Sequence, residues 1–130
     1  MGCTCAIEID QGDSASFSSE KTLVARVPHR CCECGDIIRP GQEYERMFGV
    51  WDGKTSTYKT CIPCAEVRRA FFCTFTFETI WEDFEEEVRY KDGHYSDTCL
   101  RSVSPAAREK VFAVIESVWT DLAEMDDDDE

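Results

Sequence analysis

From Glu43 to Trp51 polar and apolar positions alternate, with Tyr44, Phe48 and Val50 on one side of the pleat. Asp52-Gly53 then supplies a two-residue hairpin signal, and Thr55 to Thr60 forms the return strand. Upstream, Thr22 to Val27 is β-branched enough to be a further strand, closed by Pro28. Residues 1–20 are polar and rich in Ser and Asp, which predicts an irregular arm. After Thr60 the period changes. Thr60 is a candidate N-cap for a short helix from about Pro63 to Phe72, with the proline in the first turn. Phe77, Ile80, Trp81, Phe84 and Val88 recur at helical spacing, predicting a second helix that ends before Asp92-Gly93. The last helix is capped by Ser104 and carries Ala107, Val111, Val114, Ile115, Val118 and Leu122 as one apolar stripe. Asp126 to Glu130 is a like-charge run, expected to be a disordered tail.

Two Cys-x-x-Cys pairs, Cys31/Cys34 and Cys61/Cys64, bracket that hairpin. Four soft thiolates in two short pairs are the donor set of a tetrahedral zinc ion. The order of parts is a cysteine knuckle, a hairpin, and a second pair at a helix N-terminus, which is how a treble-clef zinc module is built. The positive end of that helix favours the thiolate form of Cys61 and Cys64. Such a site is closed by four protein ligands and leaves no position for catalysis. Cys32 offers a competing Cys-x-Cys pair with Cys34, but Cys31 with Cys34-Gly35 fits the knuckle better, and Cys32 is left as the spare.

The chain holds nine cysteines, so four more remain: Cys3, Cys5, Cys73 and Cys99. They form a candidate second zinc set that would pin the N-terminal arm onto the helical half. The alternative keeps Cys73 and Cys99 as core residues, with Cys3 and Cys5 hanging free. No basic-then-apolar leader begins the chain and no apolar run reaches the length of a membrane span. The expectation is therefore a cytoplasmic protein without a membrane role, where paired cysteines bind metal before they form disulfides.

Charge divides the molecule unevenly. Residues 21–69 hold nine Lys/Arg against six Asp/Glu, while the remainder holds five against 21, for a net charge of −13. An acidic chain repels nucleic acid over most of its surface and favours basic protein partners. The basic residues around the cysteines (Arg26, Arg30, Arg39, Lys54, Lys59, Arg68 and Arg69) keep nucleic-acid binding open as an alternative, although Glu33, Glu43, Glu45 and Glu66 are interspersed as on any solvated surface. Trp51 at the hairpin tip, with Glu82, Glu85 and Glu86 on the acidic face of the second helix, are the candidate partner-binding residues. His29 and His94 stand without a nucleophile or carboxylate at motif spacing, so no enzyme is expected.

The run Arg30-Cys-Cys-Glu-Cys-Gly35, Gly41, Tyr44, Trp51-Asp-Gly53 and Tyr58-Lys-Thr-Cys61-x-x-Cys64 resembles a group of short uncharacterised proteins of phages and bacterial genomes. The resemblance implies a small zinc-binding protein of phage or prophage origin, with Cys31, Cys34, Cys61 and Cys64 as ligands, and brings no known activity. The fold expected is α+β, one zinc-stabilised domain over residues 1–125. Its parts are the arm (1–20), a treble-clef-like zinc module (21–72) and two longer helices (73–124). The function expected is that of a non-enzymatic protein-interaction module or inhibitor.

Overall fold

The computed structural model describes residues 7–8, 17–51, 53–75 and 77–127. The expectations attached to Cys3, Cys5, Asp52 and residues 128–130 therefore lie outside the described residues. The architecture is mixed α+β. Strands β1 (Ile7–Glu8), β2 (Phe17–Val24), β3 (His29–Arg30), β4 (Ile37–Ile38), β5 (Glu43–Trp51) and β6 (Lys54–Cys61) come first. Helix α1 (Ile62–Phe71), strand β7 (Phe72–Thr74) and helices α2 (Ile80–Tyr90), α3 (Asp97–Arg101) and α4 (Pro105–Asp127) follow.

Strands β2, β5 and β6 form a small antiparallel sheet with β5 in the centre. The hairpin registers Tyr44 opposite Cys61 and Trp51 opposite Lys54, so two residues make the turn. Gly53 sits there at φ +75°, a conformation that L side chains rarely adopt. The alternation expected of β5 is only half observed. Glu45, Met47 and Gly49 are buried as well as Tyr44, whereas Phe48 and Val50 are half-buried. Both faces of β5 are covered near its start, because α1 closes over the face that the sequence assigns to solvent, with Arg68 reaching Glu45.

Several boundaries differ from expectation. The strand predicted at Thr22–Val27 lies at Phe17–Val24 instead, so the end of the supposed irregular arm is sheet. Ile7–Glu8 also pairs, in parallel, with β7. Thr60 does not cap α1; Cys61 holds the N-cap position in extended conformation, and Thr60 is buried in β6. The second helix begins at Ile80 rather than Phe77, with Glu78 in a left-handed turn at φ 78°. The short helix α3 has no apolar period to announce it and is capped by Ser96, whose side chain accepts from Cys99 N. Helix α4 continues through Asp126 and Asp127, the start of the expected disordered tail.

The helices pack as their stripes dictate. Ile80, Phe84 and Val88 of α2 and Ala107, Val111, Ile115 and Val118 of α4 are all essentially inaccessible. Phe71 of α1 meets Phe84 edge-on at 5.2 Å between ring centres. Each large side chain so buried contributes about 1.5–3 kcal/mol relative to exposure. Ser104 starts α4, accepting from Ala107 N at 3.3 Å while its hydroxyl donates to Glu66 of α1. One cap thereby joins two helices. Among the described residues no helix is long and apolar enough to cross a membrane.

Candidate metal centre

Strands β3 and β4 are paired edges of a tight loop, with His29 opposite Ile38 and Arg30 opposite Ile37. Between them Cys31 N donates to Asp36 O at 2.9 Å, and Gly35 N returns to Cys31 O at 3.0 Å. Gly35 takes φ +80°, which lets the backbone curl without steric cost. This loop presents Cys31 and Cys34. The other pair arises where β6 runs directly into α1, with Cys61 at the N-cap and Cys64 in the first turn. Cys32 N donates to Lys59 O at 2.8 Å and fixes the loop against β6.

The four Sγ atoms of Cys31, Cys34, Cys61 and Cys64 all lie within 4.8 Å of one another and could hold a metal ion. Cys34 Sγ and Cys61 Sγ are 3.8 Å apart. A tetrahedral ion with zinc–sulfur bonds near 2.3 Å requires about that sulfur–sulfur spacing. The donor set and spacing therefore fit a thiophilic divalent metal. Cys31 and Cys64 are buried, and Cys34 and Cys61 half-buried. Cys32 turns away: its Sγ lies 3.4 Å from Thr60 Oγ1, and burial pushes its thiol up to about 11. Cys31, and not Cys32, stands in the cluster with Cys34, Cys61 and Cys64.

Four sulfurs this close compete for protons. Hydrogen bonds from Cys34, Cys61 and Cys64 hold the Cys31 thiol far below the usual range. Cys34 is pushed up by Cys31 but pulled down more by Cys61 and Cys64, and settles at about 7. Cys61 and Cys64 are raised, chiefly by Cys31 and Cys34. A divalent cation ends this competition by taking the place of the protons.

Donors surround the sulfurs. Cys61 N and Glu33 N approach Cys31 Sγ at 3.3 and 3.4 Å. Trp81 Nε1 of α2 donates to Cys64 Sγ at 3.2 Å, and Lys110 Nζ of α4 lies 3.6 Å from Cys34 Sγ. Burial works against the Lys110 ammonium, but Asp36 at 2.6 Å and the thiols of Cys34 and Cys61 outweigh it and hold it above its usual value. Lys110 in turn holds the Asp36 carboxyl below its ordinary range. Such outer partners offset the excess negative charge that four thiolates bring to one divalent ion.

No protein-family profile, curated protein or solved structure matches this chain. The site must therefore be read from its own chemistry.

A buried ion-pair network stands beside the cysteines. Arg68 of α1 donates to Glu33 at 2.7 Å, to Glu45 at 3.0 Å and to Thr60 Oγ1 at 3.1 Å. Its guanidinium lies 4.8 Å from the Phe75 ring centre and 4.7 Å from that of Phe77. Arg69 also pairs with Glu45. The Glu33 oxygen that meets Arg68 also accepts from Glu78 N at 3.0 Å, and its other oxygen accepts from Ile80 N of α2 at 3.2 Å. A carboxylate from the cysteine loop thus caps a helix that begins 47 residues downstream. Glu33, Glu45 and Arg68 read as solvated charges in the sequence; that reading is overturned, because all three side chains are at least nine-tenths buried. Their pairing is long-range and polar, so no local pattern announces it.

The remaining expected sites are scattered. Cys73 is exposed in β7 and Cys99 is buried in α3, and each is disulfide-bonded. Bonded so, neither offers a thiolate to the second zinc set, and its other members, Cys3 and Cys5, lie outside the described residues. Trp51 ends β5, and its side chain lies outside the described residues. Glu82 and Glu86 are exposed on α2, while Glu85 pairs with Arg89, which also reaches Asp121 of α4.

Proposed function

We propose that this chain is a non-enzymatic, zinc-stabilised protein-interaction module or inhibitor, with Cys31, Cys34, Cys61 and Cys64 as the ligands of one ion. The mutual approach of the four sulfurs within 4.8 Å carries the reading. Loop β3–β4, hairpin β5–β6 and helix α1 follow in treble-clef order around them. An ion bound there would supply cross-linking rather than turnover, since four thiolates fill its coordination and leave no place for a substrate. The phage or prophage origin suggested by the cysteine and Trp-Asp-Gly motifs belongs to the same proposal. The acidic face of α2, with Glu82 and Glu86 exposed, suits a basic protein surface. Binding of nucleic acid is disfavoured: Arg68 and Arg69, two of its candidate contacts, are tied to Glu33 and Glu45.

Elemental analysis of chain purified under reducing conditions tests this. One zinc per chain is expected; two would mean that Cys73 and Cys99, once reduced from their disulfides, join Cys3 and Cys5 as a second set. Iron, or no transition metal with the fold intact, would overturn the reading. Salt-sensitive binding to DNA or RNA at ~50 mM salt would favour the nucleic-acid alternative instead.

A further inference from the structure

Two of the large apolar side chains left in solvent lie two turns apart on one face of α4: Phe112, 37 % exposed, and Trp119, 44 % exposed. Tyr95, from the segment before α3, stands against both, with ring centres 6.3 Å from each. The three rings form a continuous strip. It is also rigid, because Trp119 Nε1 donates to Gly93 O at 2.9 Å and the Gly93 backbone leaves no room for a side chain against the indole. Exposed Glu109 and Glu116 lie on the same helix face, three residues before and four after Phe112. Neither carboxylate has an ion-pair partner among the described residues, and no cation stacks on these rings.

Ordered aromatic faces beside unpaired carboxylates are a receptor for guanidinium. The ring quadrupole attracts the cation's face, while a carboxylate accepts from its N–H edge. Fixed aromatic rings also lose little entropy on binding. Between residues 78 and 127 the chain carries fourteen acidic and five basic residues, so the field around the strip attracts a basic partner. We propose that the Phe112–Tyr95–Trp119 strip, with Glu109 and Glu116, docks an arginine-bearing basic segment of a protein partner. This rests on the interaction reading above and moves the contact from α2 to α4.

The test is calorimetric titration of the zinc-loaded chain with a ten-residue peptide alternating Arg and Gly, and with its Lys counterpart, at physiological salt. The expected result is saturable binding, tighter for the Arg peptide, weakened about tenfold by Phe112→Ala and by Glu116→Gln, and unchanged by Glu43→Gln at the exposed start of β5. Phe112→Ala leaves the charge untouched, so its effect separates ring stacking from general attraction. Circular dichroism and zinc content confirm that each variant is folded. Binding weakened by the α2 double variant Glu82→Gln/Glu86→Gln and untouched by Phe112→Ala would sink this inference and leave the interaction reading standing. Equal affinity for the two peptides, no binding at all, or self-association that Phe112→Ala disperses would each overturn the proposal.

Discussion

The cysteine end and the α2–α4 end of this molecule are held by different physics. Around the cysteines, sulfur, buried charge and backbone N–H groups hold the structure: Cys31, Cys34, Cys61 and Cys64 converge, and Arg68 bridges Glu33 and Glu45. Between α2 and α4 the buried contact is apolar, with Phe84 and Val88 in one cluster with Val111, Ile115 and Val118, and the Arg89–Asp121 ion pair lies at its edge. With a metal bound as proposed, the first kind of contact would depend on that ion and on pH, while the apolar core of the second would depend on neither. The two ends are nevertheless joined at three points. Glu33 caps α2, Trp81 of α2 donates to Cys64, and Lys110 of α4 reaches Cys34 and Asp36. A change in the metal loop is therefore felt where both long helices begin to pack.

The largest separation of the two ends should come from Cys64→Ser. Metal binding to such sites is worth about 10–16 kcal/mol apparent, and an incomplete donor set forfeits much of it. Hydrogen exchange should show β3, β4 and the start of α1 losing protection first; uniform loss would mean the ends are one cooperative unit. Acid should act in the same direction. Protons compete with the metal for thiolates, so zinc release on lowering pH should precede unfolding of α4, read by a metal-sensitive dye alongside circular dichroism.

Glu33→Ala comes next. It leaves Arg68 with Glu45 as its one carboxylate partner and uncaps α2, for an expected loss of about 2–5 kcal/mol in urea unfolding, with zinc still bound. A loss under about 1 kcal/mol would show that the network adds nothing net. Phe84→Ala should cost a similar amount, about 3–5 kcal/mol, yet leave zinc affinity unchanged. A fall in affinity there would dissolve the distinction between the ends.

How much of this was legible in the sequence follows the same division. The α4 stripe from Ala107 to Leu122 and the hairpin about Gly53 are local patterns, and they emerge nearly in place. The cluster of Cys31, Cys34, Cys61 and Cys64 was legible because two Cys-x-x-Cys pairs advertise themselves. Glu33 was not, since its partners Arg68, Glu78 and Ile80 lie 35 to 47 residues away and no periodicity links them. Likewise Phe77 shares the helical spacing of α2, yet it stacks on Tyr58 at 4.4 Å and lies beneath Arg68, outside the helix. Tertiary contacts overrode the local period there.

Smaller effects refine the comparison. Gly93→Ala places a methyl 2.9 Å from the Trp119 ring at φ +89°, and should cost about 1–3 kcal/mol without touching the metal. Cys32→Ser should change least: metal content should stay the same, because its sulfur faces Thr60 rather than the cluster. Loss of metal in that variant would return Cys32 to the ligand set.

X-ray absorption at the edge of the metal that co-purifies with the chain tests the central claim most directly. Four sulfur scatterers at about 2.3 Å are the predicted shell. A shell of nitrogen or oxygen, or the absence of any absorbing metal from a folded and reduced sample, would contradict it.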